Sequence, residues 1–141
     1  MDSIIKRLRD GENFVVLGEL PSVFADYFKL KLIDNRIVMW RDRLEYIEKH
    51  RSEFINDKDF YDNIISIPNI VNCPDFIGVN PNGRGIEFVK KMNSNTMVAI
   101  RVSKTGNLAF RSMYPITEVK LANRLNSGRW IPIENLYGRK P

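Results

Sequence analysis

Residues 85–114 read GIEFVKKMNSNTMVAIRVSKTGNLAFRSMY. From Gly85 to Met92 the side chains alternate, with Ile86, Phe88, Lys90 and Met92 on one face and Glu87, Val89 and Lys91 on the other. Two further apolar runs, Thr96 to Ser103 and Asn107 to Tyr114, are set off by Asn93-Ser94-Asn95 and by Lys104-Thr105-Gly106. A side-chain period of two between turn residues predicts strands. Phe76-Ile77-Gly78-Val79 precedes them, followed by the strong turn Asn80-Pro81-Asn82-Gly83. Together these segments predict an antiparallel meander of four strands.

Upstream the period changes. Trp40, Leu44, Ile47 and Phe54, with Ile55 beside the last, follow a spacing of about 3.6, which predicts one helix with a single buried stripe. At about 100° per residue, Arg43, Tyr46 and His50 lie together on one flank of it, and Tyr46 and His50 are an i,i+4 pair. Asn56 or Asp57 can cap a second helix, running to about Ile65 over Phe60, Tyr61, Ile64 and Ile65 and stopped by Pro68. A short turn follows over Asn69 to Asn72.

The reading divides the chain into an N-terminal extension or adaptor over residues 1–35 and an α+β domain over residues 36–141, within one compact unit. The extension predicts a short amphipathic helix over Asp2 to Arg9 ended by Gly11, then a strand over Phe14 to Leu20. Phe28 to Ile33 and Arg36 to Trp40 are two strand candidates around Asp34-Asn35. After the meander, Thr117 to Asn126 predicts a helix stopped near Gly128. Arg129 to Pro141, apolar at Trp130, Ile131 and Ile133, is expected to fold back on the domain.

Composition limits the chemistry. The chain has 141 residues, 43% of them hydrophobic, and suits a single folded domain. No run is long and apolar enough to predict a membrane span, and Met1 to Asp10 lacks the apolar core of a signal peptide. With one cysteine, Cys73, an internal disulfide is excluded and a reducing, cytoplasmic setting is expected. One histidine and one cysteine cannot build a zinc site of the usual kind, and no calcium-loop pattern is present. No metal or cofactor is therefore expected. There is no P-loop and no G-x-S-x-G. The net charge of +5 is consistent with a polyanionic partner.

His50 is the one side chain whose ordinary pKa suits proton transfer near neutrality. Lys90 and Arg101 each interrupt an apolar strand face, and an unpaired cation does not stay buried, so each must reach solvent, an acid or an anion. Arg111, Ser112 and Tyr114 lie on the last strand. A two-residue turn at Thr105-Gly106 would put Ser112 on Arg101's face, and a three-residue turn with Gly106 left-handed would put Arg111 there. Either arrangement assembles a histidine, cations and a hydroxyl, enough for metal-free RNA cleavage through the 2′-OH.

The stretch Arg36-Ile-Val-Met-Trp-Arg-Asp-Arg-Leu-Glu-Tyr-Ile-Glu-Lys-His50 resembles the strand-then-helix motif of phage-associated barnase–EndoU–colicin–RelE-like nucleases. So do Asn72-Cys73-Pro74-Asp75-Phe76-Ile77, Phe88-Val89-Lys90, Val98-Ala99-Ile100-Arg101 and Phe110-Arg111-Ser112-Met113-Tyr114. Many members carry a second histidine one turn before the first, where this chain has Tyr46. The resemblance spans about residues 36–126. It implies helices packed on one face of a twisted four-stranded antiparallel sheet. It also implies His50, Lys90, Arg101, Ser112 and Thr117 around an RNA cleft. With the residues read above, the expected catalytic set is His50, Lys90, Arg101 and Ser112, and Arg43, Tyr46, Arg111, Tyr114 and Thr117 are expected to bind substrate. The implied activity is that of a phage or mobile-element ribonuclease toxin that yields 2′,3′-cyclic phosphates. RNA is the expected partner, together with an inhibitor or immunity protein. The alternatives are an inactive RNA- or protein-binding module and a structural phage component.

Overall fold

The computed structural model describes residues 3–92 and 95–137. Its elements in chain order are α1 (Ser3–Arg9), β1 (Phe14–Glu19), α2 (Ser22–Tyr27), β2 (Arg36–Trp40), α3 (Arg41–Glu48), α4 (Asp57–Ile65), α5 (Ile67–Asn72), β3 (Phe76–Val79), β4 (Gly85–Lys90), β5 (Asn95–Val102), β6 (Leu108–Ile116), α6 (Glu118–Asn126), β7 (Trp130–Pro132) and α7 (Glu134–Tyr137). The alternation over 85–114 produces the expected meander, β3 to β6, each strand antiparallel to the next. The predicted turn at Asn93-Ser94 lies outside the described residues.

The sheet is larger than the four strands expected. It has seven, in the order β1-β2-β6-β5-β4-β3-β7, and it is mixed, because β2 runs parallel to β6. Ile37 and Leu108 face each other across that pair, almost wholly buried, so β6 is an interior strand. β1 comes from the segment read as an extension, and Ile4, Ile5 and Leu8 of α1 join the main core with Val15 and Leu17.

Two other expectations fail for local reasons. Phe28 to Ile33 forms no strand. Phe28, Leu30 and Leu32 do pack on the core, as their alternation suggests. However, α2 precedes them, Lys29 adopts a φ of 56°, and among the described residues the segment joins no strand ladder, Ile33 N–H donating instead to Gly106 O in the turn between β5 and β6. The helix predicted from Trp40 to Ile55 is shorter. Trp40 ends β2, α3 stops at Glu48, and Arg51–Glu53 forms a 3-10 turn. That tighter winding lets Phe54 turn inward onto Phe60, their rings 5.5 Å apart, and leaves Ile55 exposed. Asn56 caps α4 by accepting from Asp59 N–H at 2.8 Å. Residues 69–72, read as a turn, belong to α5 (Ile67–Asn72), with Pro68 in its first turn, where the missing N–H costs nothing.

The two sheet faces differ. One carries the main core under α1, α3, α4 and α5. The other is half covered: α6 and β7 bury Phe76, Val89, Ile116, Leu121 and Trp130 as a second, smaller cluster. Helices therefore lie on both faces rather than one. Glu87 sits inside the covered half, 3% exposed. Arg129 donates to both its carboxylate oxygens, at 3.0 and 2.7 Å, and Trp130 Nε1–H donates to it at 2.8 Å. Gly78 allows this approach, since a Cβ there would collide with the Arg129 carbonyl and the Trp130 ring. Gly78→Ala is expected to cost about 2 kcal/mol through overpacking. Chemical denaturation checks this, and a loss below about 0.5 kcal/mol would contradict the packing described.

Candidate active site

Beyond the shelter of α6, the second face is open. Register places Arg101 opposite Ala109, and Ala109 opposite Val38, all on this face. The β5–β6 pairing shifts between Ala99 and Ile100, so that Arg111 is the extra residue of a bulge. The hairpin tip follows the three-residue turn: Ser103 N–H donates to Asn107 O at 2.9 Å and Gly106 has a φ of 92°. Arg101 and Arg111 thus line the same two cavities. One, of about 350 Å³, is walled by Asn80, Asn82, Arg84 and Glu87. The other, of about 430 Å³, is walled by Trp40, Asp42, Arg43 and Asn107. Among the described residues neither Arg101 nor Arg111 has a side-chain hydrogen bond or an ion pair. Glu87 is the carboxylate in the first cavity, and Arg129 neutralises it.

The strip read from the helix is built. Arg43 lays its guanidinium over the Tyr46 ring at 4.1 Å and donates two hydrogen bonds to the Arg111 carbonyl, at 3.1 and 2.8 Å. The Tyr46 and His50 ring centroids are 5.2 Å apart. His50 lies in the turn after α3 rather than within it, with its N–H bonded to Ile47 O. The row His50–Tyr46–Arg43 therefore runs to Arg111 and Arg101, although His50 does not itself line their cavities.

Glu53, which the sequence reading passed over, meets His50: its Oε2 lies 2.7 Å from Nδ1. An ionised carboxylate can only accept, so Nδ1 carries the hydrogen and Nε2 is left for other work. The signal available was the i,i+3 spacing of Glu53 from His50. Glu53 also lines a third cavity, of about 320 Å³, with Tyr114, Lys120, Arg124 and Trp130. Next to His50, Arg51 donates to the Tyr61 hydroxyl, a bond that raises the arginine's pKa further and holds it away from the cavity.

The remaining candidates separate. Lys90 pairs with Thr96, whereas Arg101 pairs with Gly85 at the other end of the same ladder. The parity differs, so Lys90 lies on the opposite face from Arg101, where its Nζ donates to Cys73 O at 2.7 Å. The structure does not bring the two cations together. Ser112, opposite Ala99, is completely buried, and among the described residues its hydroxyl has no hydrogen-bond partner. Thr117 caps α6 by accepting from Lys120 N–H at 3.1 Å. Among the described residues no group of three or more His, Cys, Asp or Glu side chains could hold a metal ion, and no helix is long and apolar enough to cross a membrane.

The open sheet face thus carries Arg101 and Arg111, without an ion pair among the described residues, and His50 stands at the far end of the strip that reaches them. The phage-Barnase-EndoU-ColicinE5/D-RelE like nuclease 3 family matches residues 15–123, and the chain belongs to that family. The match takes in β1, which the sequence resemblance left out. Comparison with curated proteins and with solved structures returns no match.

Proposed function

We propose that this protein is a metal-independent endoribonuclease that acts on the open face of its sheet. The observation that carries the reading is the pair of unpaired arginines, Arg101 and Arg111, joined to His50 through Arg43 and Tyr46. In this mechanism His50, its ring oriented by Glu53, takes the 2′-OH proton at Nε2. The 2′-oxygen bonds to phosphorus, the bond to the 5′-oxygen breaks, and a proton returned to that oxygen releases a 5′-hydroxyl. Arg101 and Arg111 hold phosphates of the bound strand. Lys120 and Arg124, beside Tyr114 and Glu53, supply positive charge next to the proton-transferring group. Lys90 and Ser112 have no role in this reading, because one lies on the other face and the other is sealed from solvent.

The test is turnover of RNA by the purified protein in EDTA, with end-group analysis. The expected products end in a 2′,3′-cyclic phosphate and begin with a 5′-hydroxyl, and a 2′-deoxy strand is left intact. Cleavage of the 2′-deoxy strand, or RNA products bearing 5′-phosphate, would overturn the mechanism. Salt-sensitive RNA binding without scission would support instead a binding module, the reading favoured by the absence of His50 from the arginine cavities. The family's name suggests a phage setting, and a toxin role predicts that expression in a bacterial host arrests growth.

A further inference from the structure

Trp40 and Phe14 are large aromatic side chains left on the open face, 47% and 40% exposed. They form a rung of the β1–β2 ladder, with ring centroids 5.1 Å apart. The alternate positions, Val15 and Met39, are buried in the main core, so the pleat directs Phe14 and Trp40 to the other side. Val16, also on that side, is 42% exposed. A contiguous apolar patch of this kind on a sheet face usually marks a binding surface.

What the patch adjoins defines the ligand. Trp40 lines the same cavity as Arg43, Arg101 and Arg111. Across the sheet the face runs from Phe14 on the edge strand β1, through Trp40 on β2, to Arg101 on β5, three strands from β1 and roughly 14 Å at the usual strand spacing. Flat aromatic surface beside unpaired guanidinium groups is the combination that binds single-stranded nucleic acid, with bases on the rings and phosphates on the cations. In a duplex the base faces are already stacked and cannot reach an indole.

We propose that Trp40, supported by Phe14, is a stacking platform for an unpaired base of the RNA strand whose phosphates Arg101 and Arg111 hold. This rests on the ribonuclease reading and deepens it, because it makes the substrate single-stranded at that position. Phe14 is a positioning residue, since its ring tilts against the indole and limits its rotation. The edge strand β1 contributes to recognition through this contact.

Fluorescence gives a direct test, because the second tryptophan, Trp130, is buried. The probe is a short 2′-O-methyl oligouridylate, which cannot be cleaved through its 2′-oxygen. Its binding is expected to quench the emission of the wild-type protein, and Trp40→Phe is expected to remove the quench while keeping most of the affinity. Trp40→Ala should weaken binding by roughly 5- to 100-fold. An abasic strand with the same phosphates should bind the wild type and Trp40→Ala equally. Equal oligouridylate affinity for wild type and Trp40→Ala, with unchanged thermal unfolding, would overturn the platform. Cleavage of RNA by the wild type reports separately on the ribonuclease reading. Loss of the platform with retained cleavage, and base-dependent quenching without cleavage, are therefore distinguishable results.

Discussion

His50→Ala is expected to reduce RNA cleavage by roughly 100- to 10,000-fold, the range associated with losing one positioned proton-transferring group. The variant should still bind RNA, because Arg101 and Arg111 stand apart from the imidazole and are held by the β5–β6 hairpin. The loss should therefore fall on kcat and leave KM nearly unchanged. Glu53→Gln separates orientation from chemistry. The amide retains a hydrogen-bonding oxygen for Nδ1 but loses the charge that specifies the acceptor role, so an intermediate loss is expected, with an altered pH–rate profile. If His50→Ala retains wild-type kcat, His50 is not the proton carrier. If Glu53→Gln then lowers kcat on its own, the carboxylate beside Tyr114 and Lys120 is the better candidate.

The largest expected effect on stability lies on the same sheet face. Arg129→Leu leaves the Glu87 carboxylate, 3% exposed, with only the Trp130 N–H as a partner. Removing one member of a buried ion pair costs about 3–5 kcal/mol. Because the Arg129 side chain is 20% exposed, the lower end applies. About 3 kcal/mol corresponds to a fall in Tm of roughly 10 °C for a domain of this size. Replacing both residues, Glu87→Leu with Arg129→Leu, removes the stranded charge and should recover at least half of the loss. Urea denaturation of the two variants and the wild type measures this. An Arg129→Leu cost below about 1 kcal/mol would show that the pair does not anchor β7.

How far the sequence disclosed this arrangement depends on the range of the interactions involved. The meander was legible because β3 to β6 are neighbours in the chain and their pattern has a period of two. The cap at Asn56 and the stop after α6 were legible because each is set within a turn of helix. The run Phe14 to Leu20 was legible as a strand, but its place in the same sheet, the strand β7 and the parallel β2–β6 pair were not, since nothing local to Arg36–Trp40 says that it will lie beside Leu108. The same limit applied to the site. The Arg43–Tyr46–His50 strip depends on one helix and could be read directly. The faces of Lys90 and Arg101 depend on a register between strands, and Arg111 reaches its cavities through a bulge that no residue type announces. Trp40 was read both as the end of the strand Arg36 to Trp40 and as the start of a helical stripe, and the strand reading is the one that holds.

The parallel contact of Ile37 and Val38 with Leu108 and Ala109 has a consequence for the order in which the molecule forms. The aromatic half of the open face comes from early residues and the arginine half from late ones, and this pairing, with the Arg43 bonds to the Arg111 carbonyl, joins them. During synthesis, β1 and β2 leave the ribosome long before β6 exists, and closing so long a loop is slow. Until then the nascent chain has Trp40 without Arg111, and His50 without the strand against which α3 lies. The open face is therefore complete only once β6 has been made and has paired with β2. Any partner that occupies the β2-facing edge of β6 would hold the protein in that earlier, incomplete condition.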